Sequence, residues 1–222
     1  MNKPQDRNIA ENFRMIHNII TRALRVSIES IQEFSQPGFK KTVSLPGLYN
    51  YMQALTSVLN AHHLTEDEIA FPYFRDKLPE VPFDSLTKMH QVMVLVLDKI
   101  NLALEKGEKD GQYETELGNL QNAMTRFTAM WHPHIKIETD EFLSKADALI
   151  PVEEQLRLVG LFGQHGQKLA VPPFLTVPFM LYNLPPEDRT EFSRGMPLEV
   201  IQHLVPVVWK NQWKSMTPFF LT

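Results

Sequence analysis

A chain of 222 residues, 43% hydrophobic and 22% charged, has the length and composition of a folded globular protein with a sizeable core. A net charge of only −4, with no lysine/arginine cluster resembling a phosphate-binding stripe, argues against nucleic-acid binding. Cysteine is absent, which excludes disulfides, thiolate metal sites and cysteine nucleophiles and leaves nitrogen and oxygen as the ligands for any metal.

The opening segment MNKPQDRNIAENF lacks the apolar core of a signal peptide. Apolar periodicity then predicts a first helix over 6–34, closed by the loop SQPGFKKTVSLPG. A second helix is expected over about 47–77, ending at KLPEVPFD. A third covers about 84–106, before the polar loop EKGEKDGQYE, and a fourth about 114–148. No segment of this region alternates like a half-buried strand, so the expected class is all-α, with residues 1–150 as an up-down-up-down four-helix bundle. Residues 151–222 form a separate helical, proline-rich extension: a helix in VEEQLRLVGLFGQHGQKL, the apolar run VPPFLTVPFMLYNLPP, and a helical EVIQHLVPVVWKNQWKSM. That extension is too apolar to stay exposed, and packing on the bundle or on a second copy in a homodimer would cover it. The longest apolar stretches, VMVLVL and LVPVVW, are too short to span a bilayer, so a cytoplasmic, soluble protein is expected.

Steps of three and four give each helix an inward stripe. Helix one contributes Phe13, His17, Ile20 and Leu24. Helix two contributes Leu48, Met52, Leu55, Leu59, His62, Glu66 and Ile69. Helix three contributes Leu86, His90, Met93, Leu97 and Ile100. Helix four contributes Leu117, Leu120, Met124, Phe127, Trp131, His134, Glu138 and Phe142. Each stripe carries one histidine, and helices two and four add a glutamate one turn later. A lone histidine on such a stripe is more often a hydrogen-bonded core residue than a ligand. The glutamates are different, because an ionised carboxylate in a bundle core costs several kcal/mol unless paired, and no lysine or arginine shares these stripes. The separation of His17 from His62 nearly equals that of His90 from His134, so two helical hairpins carry the same order, a lone histidine and then HxxxE. Four imidazoles and two carboxylates at one level suit two iron or manganese ions bridged by the glutamates. Ferritin-like sites differ, with carboxylates outnumbering histidines and an ExxH motif.

The ordered set resembles the hemerythrin-like family of the HHE cation-binding type. His62, Glu66, Asp67 and Phe71-Pro72 match the family's H-x-x-x-E followed by acidic residues and "FP", His17 and His90 match the lone histidines of helices one and three, and His134 with Glu138 matches the second H-x-x-x-E. The resemblance covers about residues 1–148 and implies a four-helix bundle with two non-haem iron ions joined by an oxo or hydroxo bridge, manganese or zinc being the alternatives. It implies His17, His62, His90 and His134 as terminal ligands and Glu66 and Glu138 as bridging carboxylates. His63, one residue and about 100° around the helix from His62, is expected behind the ligands or at the surface. His132 is also expected behind them, and Asp67 and Glu68 on a solvated face from which one could orient a histidine. His165 and His203 stand apart from the pattern.

Two departures from the oxygen-carrying hemerythrins bear on function. The second histidine expected one turn after His90 is replaced by Val94, which removes an imidazole and speaks against reversible oxygen transport. Pro133 lies between His132 and His134 and is expected to kink helix four. The favoured function is a di-iron protein that binds or senses dioxygen, nitric oxide or peroxide. The alternatives are a di-iron enzyme acting on peroxide or a small apolar substrate, and an iron-handling or regulatory module. A metal-free bundle is disfavoured because it leaves two buried carboxylates without partners.

Overall fold

The structure, a computed structural model, describes residues 8–36, 44–109, 111 and 113–221, and all regular structure among them is helical. The start of the first helix before residue 8 and most of the following loop lie outside the described residues. Helix α1 (Ile9–Phe34) opens on a capping box: the Glu11 N–H donates to Asn8 Oδ1 at 2.8 Å, and the Asn8 N–H donates back to the Glu11 carboxylate. Helix α2 (Leu45–Thr65) begins with the Ser44 hydroxyl accepting from the Gly47 N–H and with Pro46 in the first turn.

At Glu66, α2 passes without a break into a π-helical turn (Glu66–Ala70) and then α3 (Phe71–Arg75). The Phe71 N–H reaches back five residues to the Glu66 carbonyl. This wide turn accommodates Pro72, which lacks an N–H and in an ordinary helix would collide with the carbonyl four residues before it. It also rotates the following residues, so Ala70, Phe71 and Phe74 are buried while Ile69, assigned to the inward stripe from its spacing, is only partly so. Helix α4 (Phe83–Lys109) follows, and a 3₁₀ turn (Tyr113–Glu116) leads into α5 (Leu117–Ile137). Helix α5 runs unbroken through the exposed Pro133, so His134 keeps its expected register. A second π-helical segment (Glu138–Leu143) then carries the chain into α6 (Ser144–Leu149).

Helix α1 packs on α2 and α5, and α4 packs on the same two. The core is divided in two along these helices. Ile20, Leu59, Met93 and Trp131 belong to one apolar cluster, and Phe13, Ala70, Leu86 and Phe142 to the other. His17, His62, His90 and His134 each lie between their helix's members of the two clusters, which places a polar layer between two apolar ones.

The chain then wraps back on α2. Helix α7 (Val152–Leu169) packs on α2 and α1, and α8 (Pro173–Tyr182) packs on α2. Helix α9 (Pro186–Ser193), a π-helical stretch (Val200–Val208), α10 (Lys210–Trp213) and a terminal 3₁₀ turn (Lys214–Phe219) complete the extension. Its Leu175, Phe179, Met216 and Phe219 share a core with α2. Polar contacts fasten it: Arg22 Nη1 donates to Tyr51 Oη (3.3 Å), to the Phe219 carbonyl (2.9 Å) and to Asn183 Oδ1, which also accepts from Tyr51 Oη at 2.6 Å. Gly47 is required at the last contact, since a methyl there would overlap the Ser215 carbonyl. Replacing Arg22 by alanine strands the Phe219 carbonyl in a half-buried setting, and urea unfolding of Arg22→Ala is expected to show a loss of about 1–3 kcal/mol.

Candidate metal centre

The six residues singled out from the sequence converge. Glu66, Glu138 and His134 are fully buried, His90 and His17 nearly so, and the His62 side chain is 7% exposed. Donor atoms of His17, His62, Glu66 and Glu138 lie within 4.8 Å of one another, and so do those of Glu66, His90, His134 and Glu138. Both glutamates therefore belong to both groups, and each divides its oxygens between them. Glu66 Oε1 is 3.4 Å from His62 Nε2 and Oε2 is 3.4 Å from His90 Nε2. Glu138 Oε2 is 3.2 Å from His17 Nε2 and Oε1 is 3.1 Å from His134 Nε2.

These are contacts without bonds. None of the four carboxylate oxygens has an aligned hydrogen bond, nor do His17 Nε2 and His62 Nε2, although all are buried. The Nε2 atoms of His90 and His134 stand 3.1 Å apart. Two ligand atoms each about 2.1 Å from one ion and at right angles lie about 3 Å apart, so the separations are those of donors aimed at a common cation. Among the described residues no lysine or arginine pairs with either carboxylate. The chemistry of the donor set and its orphaned atoms fit a metal.

Electrostatics give the same reading. Burial, reinforced by the neighbouring Glu138 charge, pushes the Glu66 carboxyl well above its ordinary value. Burial acts the same way on Glu138, but His134 and His17 outweigh it and hold that carboxyl well below. Burial, with the charge of neighbouring imidazoles, holds His62 and His63 well below 6.5, so both are neutral and have a lone pair free at neutral pH.

His63 departs from expectation. It is only 2% exposed, its ring stacks on His90 at 4.2 Å between centroids, and neither ring nitrogen has a hydrogen-bond partner. One donor atom from each of His63, His90 and His134 lie within 4.8 Å of one another. The step of about 100° from His62 does not carry it out of the core, because α2 is enclosed by α1 on one side and α4 on another. The signal was present in the sequence: Met52, Thr56 and Leu59 lead to His63 by steps of four, three and four, so it continues a buried line of α2, while the polar residues Asn50, Gln53, Ser57 and Asn60 form a separate, narrow stripe.

Other residues sort by burial. Asp67 is not on a solvated face: its Oδ2 lies 3.0 Å from His90 Nδ1, in contact without an aligned hydrogen bond, while Oδ1 accepts from the Thr87 hydroxyl at 2.8 Å. Glu68 is exposed, 2.9 Å from His165 of α7. His132, expected just behind the ligands, is exposed, as is His203. Aromatic rings enclose the layer. Trp131 lies edge-on to His17 at 5.6 Å and donates from Nε1 to Thr21, and Phe71 stacks on His90 at 5.6 Å. One side is open. A cavity of about 130 Å³ lies between the bundle and the extension, and His62 and Glu66 are among its lining residues.

Five imidazoles and two carboxylates buried together among helices form a cluster that could hold metal ions. A family model described as the hemerythrin HHE cation binding domain matches residues 8–146, more than half the chain, and the protein belongs to that family. The match ends before α7, so the extension lies outside it. Comparison with curated proteins and with solved structures finds no match.

Glu66 gives a test that needs no assumption about the metal. A carboxyl with a raised folded-state pKa adds stability below its unfolded value of 4.5, and that stability is lost as pH rises through the folded value. After chelation at pH 7, Glu66→Gln is therefore expected to melt above the wild type, by roughly 2–4 °C per kcal/mol of relieved burial cost. The gap should narrow toward pH 4.5, as read by thermal scans of the two proteins side by side.

Proposed function

We propose that the chain is a non-haem di-iron protein that binds or senses a small redox-active ligand, dioxygen, nitric oxide or peroxide, at this His/Glu centre. The observation that carries it is the division of each glutamate's oxygens between two groups of histidines, as two adjacent cations sharing both carboxylates require. Glu66 and Glu138 would bridge, His17 and His62 would serve one position, and His90 and His134 the other. His63 would add a third imidazole to the latter, taking the part left vacant by Val94 on α4. Iron bound there would supply one-electron chemistry and an open position for the ligand; manganese or zinc would fit the same donors.

The chain's own residues account for the remainder. Asp67, held by Thr87, contacts the His90 ring, Trp131 and Phe71 exclude water, and the position served by only two imidazoles borders the cavity. No helix among the described residues is long and apolar enough to cross a membrane, and a cytoplasmic setting belongs to this reading. A homodimer would use the extension's exposed Leu198, Val207 and Val208. The cavity favours one second reading, a di-iron enzyme acting on peroxide or an apolar substrate.

Anaerobic titration with ferrous iron should saturate at two ions per chain, and admission of oxygen or nitric oxide should change the optical spectrum. Glu66→Ala or Glu138→Ala should abolish uptake, and His63→Leu should weaken it by about 10–100-fold. Stoichiometry well below two, or a spectrum indifferent to every ligand, sinks the proposal. Sustained peroxide turnover that Glu138→Ala abolishes moves it to the enzymatic reading.

A further inference from the structure

The cavity is far larger than the proposed ligand needs. A water molecule needs about 10–15 Å³ of enclosed space, against about 130 Å³ here.

Shape and chemistry narrow the occupant. Val58, Ala61, His62, Thr65 and Glu66 of α2 line one wall. Eight residues of helix separate the first from the last, a length of about 12 Å. Phe162, Gly163 and Gly166 of α7 face them, with Met180, Phe192 and Met196 alongside. The Thr65 hydroxyl donates to the Ala61 carbonyl at 2.7 Å, so its hydrogen is not available to a ligand. Apart from His62 and Glu66, polar lining is limited to Asn12, Gln167 and this hydroxyl.

Gly166 keeps the slot open: a Cβ there would face Thr65 Oγ1 of the opposite wall at 3.8 Å, while Gly163 lies at the exposed rim, where a Cβ would meet nothing within 4 Å. Neither position needs glycine for packing or for φ, yet both accept the poor helix propensity of glycine inside α7. Methionines 180 and 196 add side chains that reshape around an irregular apolar guest.

We infer that this slot binds a linear alkyl moiety of octyl to decyl length, lying along α2 with its inner end against His62 and Glu66. The inference deepens the proposed function, because it names the class of molecule brought beside the centre. Half of the slot comes from the extension, so the extension is what distinguishes this site from a bundle that admits only diatomic molecules.

Calorimetric titration of the full chain, as purified and after chelation, with 1-hexanol, 1-octanol and 1-decanol tests it. Each added methylene should tighten binding about fourfold in both forms. Gly166→Leu should weaken decanol binding at least tenfold with the circular dichroism melt undiminished, and Met196→Trp should do the same by filling the slot from the other wall. In iron-loaded protein, decanol should shift the centre's optical spectrum. Absence of binding, affinity independent of chain length, or variants that bind as well as wild type overturn the inference. Decanol binding without iron uptake sinks the di-iron reading and leaves the slot standing; iron uptake without decanol binding does the reverse.

Discussion

Two buried carboxylates that no lysine or arginine among the described residues pairs with are the constraint on which this structure depends. Glu66 and Glu138 are fully buried in the middle of the bundle, where an uncompensated charge costs several kcal/mol. A protein could avoid that cost by protonating them or by pairing them with arginine. Here they are ringed instead by imidazoles, and none of the four carboxylate oxygens has an aligned hydrogen bond. The arrangement is poorly stable by itself and well matched to cations, which couples the fold to what it binds.

The surrounding architecture follows from holding that layer in register. Apolar clusters above and below clamp each helix on either side of its histidine. Both HxxxE motifs end in π-helical turns that begin at the glutamate itself, a wide-turn geometry that recurs at functional sites. Each turn preserves the four-residue step from histidine to glutamate, then rotates the following residues so that Phe71 and Phe142 still face inward. Helix α2 sits at the centre, with α1 and α4 on the bundle side and α7 and α8 on the other. It therefore presents His62 toward the cavity and His63 toward His90.

Much of this was legible in advance, for identifiable reasons. The stripes on α1, α4 and α5 were correct because each of those helices has one apolar face, and a three-four step finds one face reliably. The six His/Glu residues were found because charge in an apolar stripe is conspicuous. The surface position allowed for His63 was wrong because a single stripe is narrower than the buried face of α2, whose solvent side is mainly the strip of Asn50, Gln53, Ser57 and Asn60. Ile69 was misplaced because the step count continued at 3.6 residues per turn through a segment that winds more widely. His132 looked close to the centre in sequence, yet it projects to solvent two residues from a fully buried histidine.

By itself the sequence determined the helical class, the order of the helices, and which histidines and glutamates lie on their apolar stripes. Those properties reside in local periodicity and in residue types that physical chemistry does not leave buried without cause. Only the tertiary structure decided which oxygen faces which histidine, that His63 joins the layer, and that the extension leaves a slot lined in part by His62 and Glu66. Each of these depends on what lies across from a helix. Nothing within a helix's own sequence records its neighbour, so contacts between segments far apart in the chain had to be seen.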